Sequence, residues 1–163
     1  MRDYFKQLFS RLSRASSASP HLALGARGER LARAYLKQHG YRIAVTNFTA
    51  PIGYGLTGRP MTGEIDIIAY DETTTPPTLA FIEVKTRTRA DIAAPEAAVD
   101  LRKQRQITRT ARVYRRLLRL ENEPYRYDVV SVIAASDAAA EMTLWRAYFT
   151  EQRFHQSHWW RKF

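Results

Sequence analysis

Charged residues sit inside the two stretches of the chain best suited to form strands, among them Glu64 and Asp66 in EIDIIAY and Glu83 and Lys85 in FIEVKTR. Side chains alternate along a strand, so Glu64, Asp66, Ile68 and Tyr70 are expected on one face of the first segment. Phe81, Glu83, Lys85 and Arg87 are expected on one face of the second. The turn-rich DETTTPPT between them reads as a hairpin loop, which would bring three carboxylates and one ammonium together. Such oxygen donors suit Mg2+ (or Mn2+), a hard cation that keeps several waters, binds through one or two carboxylates and accepts phosphate oxygens. A nearby lysine can orient a water or steady developing negative charge, and together these parts would serve phosphodiester hydrolysis. The same pattern also suits cross-strand ion pairing on a solvated sheet face, worth about 0.2 to 1 kcal/mol per pair and requiring no function.

The elements that must position these residues are legible on either side. Ser19 and Pro20 are suited to start a helix through HLALGARGERLARAYLKQHG, and Gly40 to end it. Leu24, Leu31, Ala32, Tyr35 and Leu36 form its apolar stripe, and Gly25 and Gly28 imply close approach of another backbone. Glu29 lies in line with Ala32 and Leu36, where it would add a fourth carboxylate to a group of like charges that repel without a cation. YRIAVTNF reads as a first strand and TAPIGYGLTGRPMT as a flexible loop. Between Asp100 and Leu120, the spacing of Gln104, Ile107, Ala111, Tyr114 and Leu118 predicts one inward helical stripe, with Asp100 as its N-cap. The remaining faces carry Arg102, Lys103, Arg105, Arg109, Arg112, Arg115, Arg116 and Arg119. YRYDVVSVIAAS has the Val/Ile run of a buried strand, with Arg126 and Asp128 read as a structural ion pair, and EMTLWRAYFT is a last strand. Helix, three strands, helix, strand and a further strand make an α/β fold, a mixed sheet with helices on both faces.

The chain has 163 residues, enough for one domain, and its 26 Lys and Arg against 16 Asp and Glu give a net charge of +10, which favours polyanionic partners. The absence of cysteine removes disulfides, thiolate zinc sites and thiol nucleophiles, and the four histidines have no metal-helix spacing. No apolar run approaches a membrane span and no secretory leader is apparent, so a cytoplasmic protein is expected. Residues 1–19 read as a basic amphipathic extension and linker; residues 1–14 are either a frayed extension or a weak membrane-surface contact. The domain is expected to span 20–150. Residues 151–163 form a tail in which Phe154, Trp159, Trp160 and Phe163 alternate with cations. These aromatics either stack on unpaired bases or fold back onto the domain, or else join two copies into a homodimer.

GARGERLARAYLKQHGYRIAVTN, GEIDIIAYD, FIEVKTR, AVDLRKQRQITRTARVY and RYDVVSVI, in that order, resemble the YraN family of bacterial proteins. That family's fold is similar to Holliday junction resolvases and restriction endonucleases of the PD-(D/E)xK type. The resemblance implies a restriction-endonuclease-like αβββαβ core, with Asp66 as the motif aspartate, Glu83 as the following acid and Lys85 as the motif lysine. It also likens Glu29 to the first-helix acid of the resolvases, with Asp66, Glu83 and Glu29 as the metal set. Gln104 resembles a polar residue that some of these nucleases place beside the site. Gly63-Glu64-Ile65 stands here where the motif has a proline before its aspartate, and the loop ahead of it is longer. What the resemblance implies is a metal-dependent endonuclease acting on structured or branched DNA, with Arg87, Arg109, Arg112 and Arg116 on the nucleic acid. A binding module that keeps the fold and the basic surface without cleaving is the alternative.

Overall fold

The computed structural model describes residues 20–55, 57–87, 99–133 and 140–155. The amphipathic segment 1–14 and the tail residues Trp159, Trp160 and Phe163 lie outside the described residues. Helix α1 (Pro20–Gln38) leads into strands β1 (Tyr41–Tyr54), β2 (Pro60–Asp71) and β3 (Thr78–Arg87), then helix α2 (Leu101–Leu118), strands β4 (Tyr125–Ile133) and β5 (Glu141–Phe149), and a last turn of helix, α3 (Gln152–His155). The five strands form one sheet in the order β1-β2-β3-β4-β5; only β3 and β4 are parallel, and α2 makes the crossover that a parallel pair requires. This is the mixed α/β architecture that the order of sequence segments predicts, and it is consistent with the restriction-endonuclease-like fold that the resemblance implies.

Two hydrophobic layers hold the helices to the sheet. Ala32 and Leu36 of α1 pack on Ile67, Ile82, Val84, Val130 and Val132, while Ile107, Ala111 and Tyr114 of α2 pack on Phe48, Ile65, Ile68, Phe81, Tyr127 and Phe149. Leu118, expected in the α2 stripe, is 41% exposed because the helix stops there, at Arg119 with φ 57°. Thr108 and Thr110 are buried in its place.

Two glycines set how closely each helix approaches. A Cβ on Gly28 would sit 1.8 Å from Thr86 Oγ1 at the end of β3, and one on Gly63 would sit 2.0 Å from Thr110 Oγ1 of α2. The expectation of close approach is therefore met at Gly28; at Gly25 a Cβ would meet nothing within 4 Å.

Three sequence expectations change. The stretch expected to be a flexible loop is a β-ribbon: β1 runs to Tyr54 and pairs with β2 as far as Pro60. Gly53 (φ 106°) and Gly58 (φ 73°) supply backbone that other residues rarely adopt, and Pro51 is tolerated because β1 is an edge strand with no ladder to serve on its outer side. Second, strict alternation fails in β2. Ile65 packs on the α2 side and Ile67 on the α1 side, so the chain turns over at Asp66, opposite Asn47, whose φ is 52°. Glu64, Asp66, Ile68 and Tyr70 consequently do not share one face.

Third, the domain does not end at residue 150. Glu151 is buried and accepts hydrogen bonds from the Tyr127 hydroxyl and from Arg112 Nη2 (2.8 Å), and Phe154, 2% exposed, belongs to the α2-side core under the Arg105 guanidinium. Burial of an aromatic ring wins over base stacking at that position because water is excluded from it permanently. Phe154→Ala should lower unfolding stability by about 3 to 5 kcal/mol in urea titrations, and truncation after Thr150 should lower it further; a truncated chain as stable as the full one would place Phe154 outside the core.

Candidate functional site

The site forms where β2 and β3 part. Their pairing runs from Asp71↔Thr78 to Ile67↔Ile82 and stops, although both strands continue. The next inward-facing amide of β3, Val84 N–H, would be left without a ladder partner; it donates instead to Asp66 Oδ2 at 2.7 Å. The turn-over at Asp66 lets its carboxylate reach across to β3, and Asn47 on the neighbouring strand supports it. With its side-chain nitrogen toward the acceptors, Asn47 donates to the Asp66 carbonyl oxygen at 3.2 Å and to Glu29 Oε2 at 3.1 Å.

Glu83, on the α2 side of β3, is only 3% exposed. Its Oε1 accepts from Lys85 Nζ at 2.9 Å, and Lys103 Nζ of α2 lies 3.1 Å from its Oε2. The Lys103 contact is an ion pair without hydrogen-bond alignment, so Glu83 Oε2 remains a buried oxygen with no hydrogen bond. Gln104, next to Lys103 on α2, is buried, its Nε2 donating to Val99 O at 2.8 Å and its Oε1 without a hydrogen bond. Asp100 caps this helix by accepting from Lys103 N–H at 2.7 Å, as the sequence implied, which fixes the first turn of α2 against the end of β3.

The electrostatics follow from that packing. Burial pushes the Asp66 carboxyl up from 3.8 to about 7, the Glu83 charge pushes it the same way, and the Glu29 charge adds a smaller push. The Val84 N–H and the Lys103 ammonium act against them and are outweighed. Two carboxylates thus share a partly dry wedge with two ammonium groups, and one of the buried carboxylate oxygens is unbonded. Oxygen donors of this kind could hold a hard cation through Asp66 and Glu83 with water completing its shell.

The structure brings Asp66, Glu83, Lys85 and Gln104 to one end of the sheet. Glu29 approaches from α1 through Asn47, but among the described residues no three carboxylate or imidazole groups converge as a metal cage, so the expected triplet of Asp66, Glu83 and Glu29 is not assembled as one cluster. Glu64 is exposed and Lys85 pairs with Glu83 rather than with it.

Of the expected nucleic-acid residues, Arg109 and Arg116 of α2 have no ion pair among the described residues. Arg87 is partly buried and engaged by its surroundings. Arg112 is paired to buried Glu151 at 2.8 Å, which employs its charge inside the fold. Arg115 is similarly occupied, 3.6 Å from the Tyr125 ring centre. Asp128, opposite Ile82 on β4, is a structural partner of Arg126 at 2.9 Å.

Lys103 is the site residue that sequence reasoning missed, because it was counted among the surface cations of its helix. The signal was present: an N-cap at Asp100 puts Lys103 in the first turn, and a helix that follows β3 must begin at the end of the sheet where Glu83 lies.

A carboxyl whose pKa is higher folded than unfolded binds its proton more tightly in the folded state, so stability should fall as pH rises from about 4 to about 7 and level off above. Asp66→Asn retains an acceptor for Val84 N–H and cannot ionise. In metal-free buffer it should match the wild type near pH 3 and melt several degrees higher near pH 8. A melting difference that does not change with pH would mean that Asp66 titrates normally.

The model of the uncharacterised protein family UPF0102 matches residues 28–132, from the tightly packed glycine of α1 to the end of β4. The chain is 43% identical over 132 residues to a UPF0102 protein of Koribacter versatilis, covering 78% of this chain and 83% of that one. It is 44% identical over 117 residues to a UPF0102 protein of Chlorobium limicola (71% and 78%), and 36% identical over 129 residues to one of Chlorobium phaeobacteroides (79% and 90%). A match across all the elements that build the wedge, with relatives of this identity over most of their length, places the chain in the UPF0102 family, the YraN family that its sequence motifs resemble.

Proposed function

We propose that the protein is a nucleic-acid-binding, Mg2+-dependent endonuclease that hydrolyses phosphodiester bonds in structured or branched DNA. The observation that carries this reading is the buried Glu83 carboxylate, held by the Lys85 and Lys103 ammonium groups, in the same wedge as an Asp66 carboxyl raised to about 7. A purely structural buried acid has its oxygens engaged by oriented hydrogen-bond donors.

Asp66 and Glu83 would hold the cation, with Glu29 contributing charge from α1. When bound, Mg2+ supplies a Lewis acid for the phosphoryl oxygen and a more acidic water. Lys85 is placed to orient the attacking water or to steady the charge that develops on phosphorus, and Lys103 to draw the phosphodiester toward the first turn of α2. Val84 N–H keeps the Asp66 carboxylate aimed into the wedge, and Gln104 closes its inner wall. Arg102, Arg109 and Arg116 on the outer face of the helix carry the electrostatic part of binding. The pairing of Glu83 with two lysines also favours a second reading, a nucleic-acid-binding module that does not cleave, since two ammonium groups already neutralise much of the acidic pair.

Calorimetric titration and a cleavage panel of single-stranded, duplex, flap and four-way DNA separate the two. For the endonuclease, Mg2+ binding should strengthen between pH 6 and 8 with release of a proton, as Asp66 gives up its own near pH 7. Asp66→Asn and Glu83→Gln should abolish cleavage while DNA affinity changes little. A wild type that binds DNA but neither Mg2+ nor Mn2+ is the non-cleaving module. Replacing Arg109 and Arg116 by Gln should flatten the dependence of log K on log salt by about 0.9 for each lost duplex-phosphate contact; an unchanged slope would move the contact surface off α2.

A further inference from the structure

The wedge that holds the carboxylates has two walls of different construction. One is the end of β3, carrying Lys85, braced by α1 where Thr86 fills the space left by Gly28. The other is the β1–β2 ribbon. Pairing of β2 with β3 ends at Ile67, yet the ribbon continues to Tyr54↔Pro60, seven residues of β2 further on, or roughly 20 Å of extended chain. That length exceeds anything needed to position Asp66.

The ribbon is anchored at its root. Thr110 of α2 occupies the space above Gly63, Gln106 Nε2 donates to Thr62 O at 3.0 Å, and Ile52 is buried with 7% exposure. Its far end is exposed: Tyr54 is 66% accessible and Arg59 is on the surface with no ion pair among the described residues. From Asn47 to Gly63 the sequence has no carboxylate and a single charge, Arg59. Arg102 and Arg109, four residues before and three after Gln106, lie along the strip of α2 that borders the root. A braced two-stranded arm with a cationic border, a phenol and a guanidinium at its free end, and no acid to repel phosphate has the charge and cross-section that the major groove of duplex DNA admits.

We infer that the β1–β2 ribbon is a DNA-binding arm that enters the major groove of the duplex flanking the scissile phosphate, with Arg59 on a backbone phosphate and Tyr54 donating its hydroxyl to the same backbone. The inference rests on the nucleic-acid reading above and adds to it which part of the substrate is gripped: double-stranded flank rather than the strand being cut. Pro51, Gly53 and Pro60 keep the arm from pairing with a further strand, so its edges stay free for DNA.

The test compares the full-length wild type with Tyr54→Ala, Arg59→Gln and the double variant, on duplex DNA and on a single strand of equal length, by fluorescence anisotropy over a salt series. The arm predicts a loss of roughly five- to tenfold for the double variant on duplex, little loss on the single strand, and a salt slope for Arg59→Gln shallower by about 0.9. Melting temperature should be unchanged, since both side chains are exposed. Duplex affinity equal to that of the wild type, or an equal loss on both substrates, would overturn the arm while leaving the nuclease reading intact. A wild type that binds neither DNA would overturn both.

Discussion

Asp66 and Glu83 repel each other where β2 and β3 separate, and much of the structure can be understood as the means of keeping them there. Neither acid is free to turn to solvent. Glu83 is fixed by strand parity beneath α2, and Asp66 is fixed by its bond to Val84 N–H, which the parting of the strands would otherwise strand without a partner. Lys85 and Lys103 pair with Glu83, and the Asp66 pKa is raised by burial first and by the Glu83 charge second, against the Val84 N–H and Lys103. A divalent cation would offset the repulsion, since it adds positive charge at the point where two ammonium groups leave a carboxylate oxygen without a hydrogen bond.

Keeping the strands apart beyond Ile67 requires that each continue with a different support. β3 leans on α1 and the β1–β2 ribbon leans on α2, in both cases through a glycine opposite a threonine. Removing either contact would let the strands zip together, which would satisfy Val84 in the ladder and turn Asp66 away from Glu83. The local irregularity serves the same end. Asn47 and Asp66 interrupt the alternation of neighbouring strands at one level, and the interruption is what converts a carboxylate from a face residue into an edge residue. An asparagine is suited to the left-handed backbone at that point and its amide also reaches Glu29.

Much of this was legible in the sequence because periodicity reports burial. The core of the α1 stripe, the α2 stripe as far as Tyr114, the N-cap at Asp100, the hairpin at DETTTPPT and the shared face of Glu83 and Lys85 all follow from local spacing, and the structure has each of them. What was not legible is non-local. Strict alternation assigns Asp66 and Glu64 to one face, and only the pairing of β1 with β2 reveals that the chain turns over between Ile65 and Ile67. The glycine- and proline-rich stretch before Gly63 has the composition of a loop, and it forms a ribbon because an edge strand needs ladder bonds on one side alone. Phe154 and Glu151 looked like tail residues since nothing near them in sequence shows the apolar floor they meet, and Arg112 looked like a surface cation until Glu151 was placed beside it.

A second acidic cluster on the same sheet, around Asp71 and Asp128, shows why the acids of the wedge are unlike ordinary buried acids. There Asp71 accepts from Thr73 N–H at 3.0 Å, Thr73 Oγ1 at 2.5 Å and Arg126 Nη2 at 2.5 Å; burial opposes its charge, but those bonds hold its pKa at about 2. Asp128 is raised by burial, yet it too is bonded, to Arg126 Nε and Ala147 N–H at 2.9 Å, with the Tyr41 hydroxyl at 3.4 Å. Arg126 can serve both acids because a guanidinium presents donors in a fixed fork. This is a closed network with its carboxylate oxygens engaged, suited to hold β2, β4 and β5 together and offering nothing to a ligand. At the wedge the cations are lysines, which are point charges on flexible stems and can be redirected to a phosphate without dismantling a planar bidentate pair. The contrast is between arginine that locks a buried acid and lysine that only shields one. It separates the locked acids of this sheet from the shielded acids of the wedge.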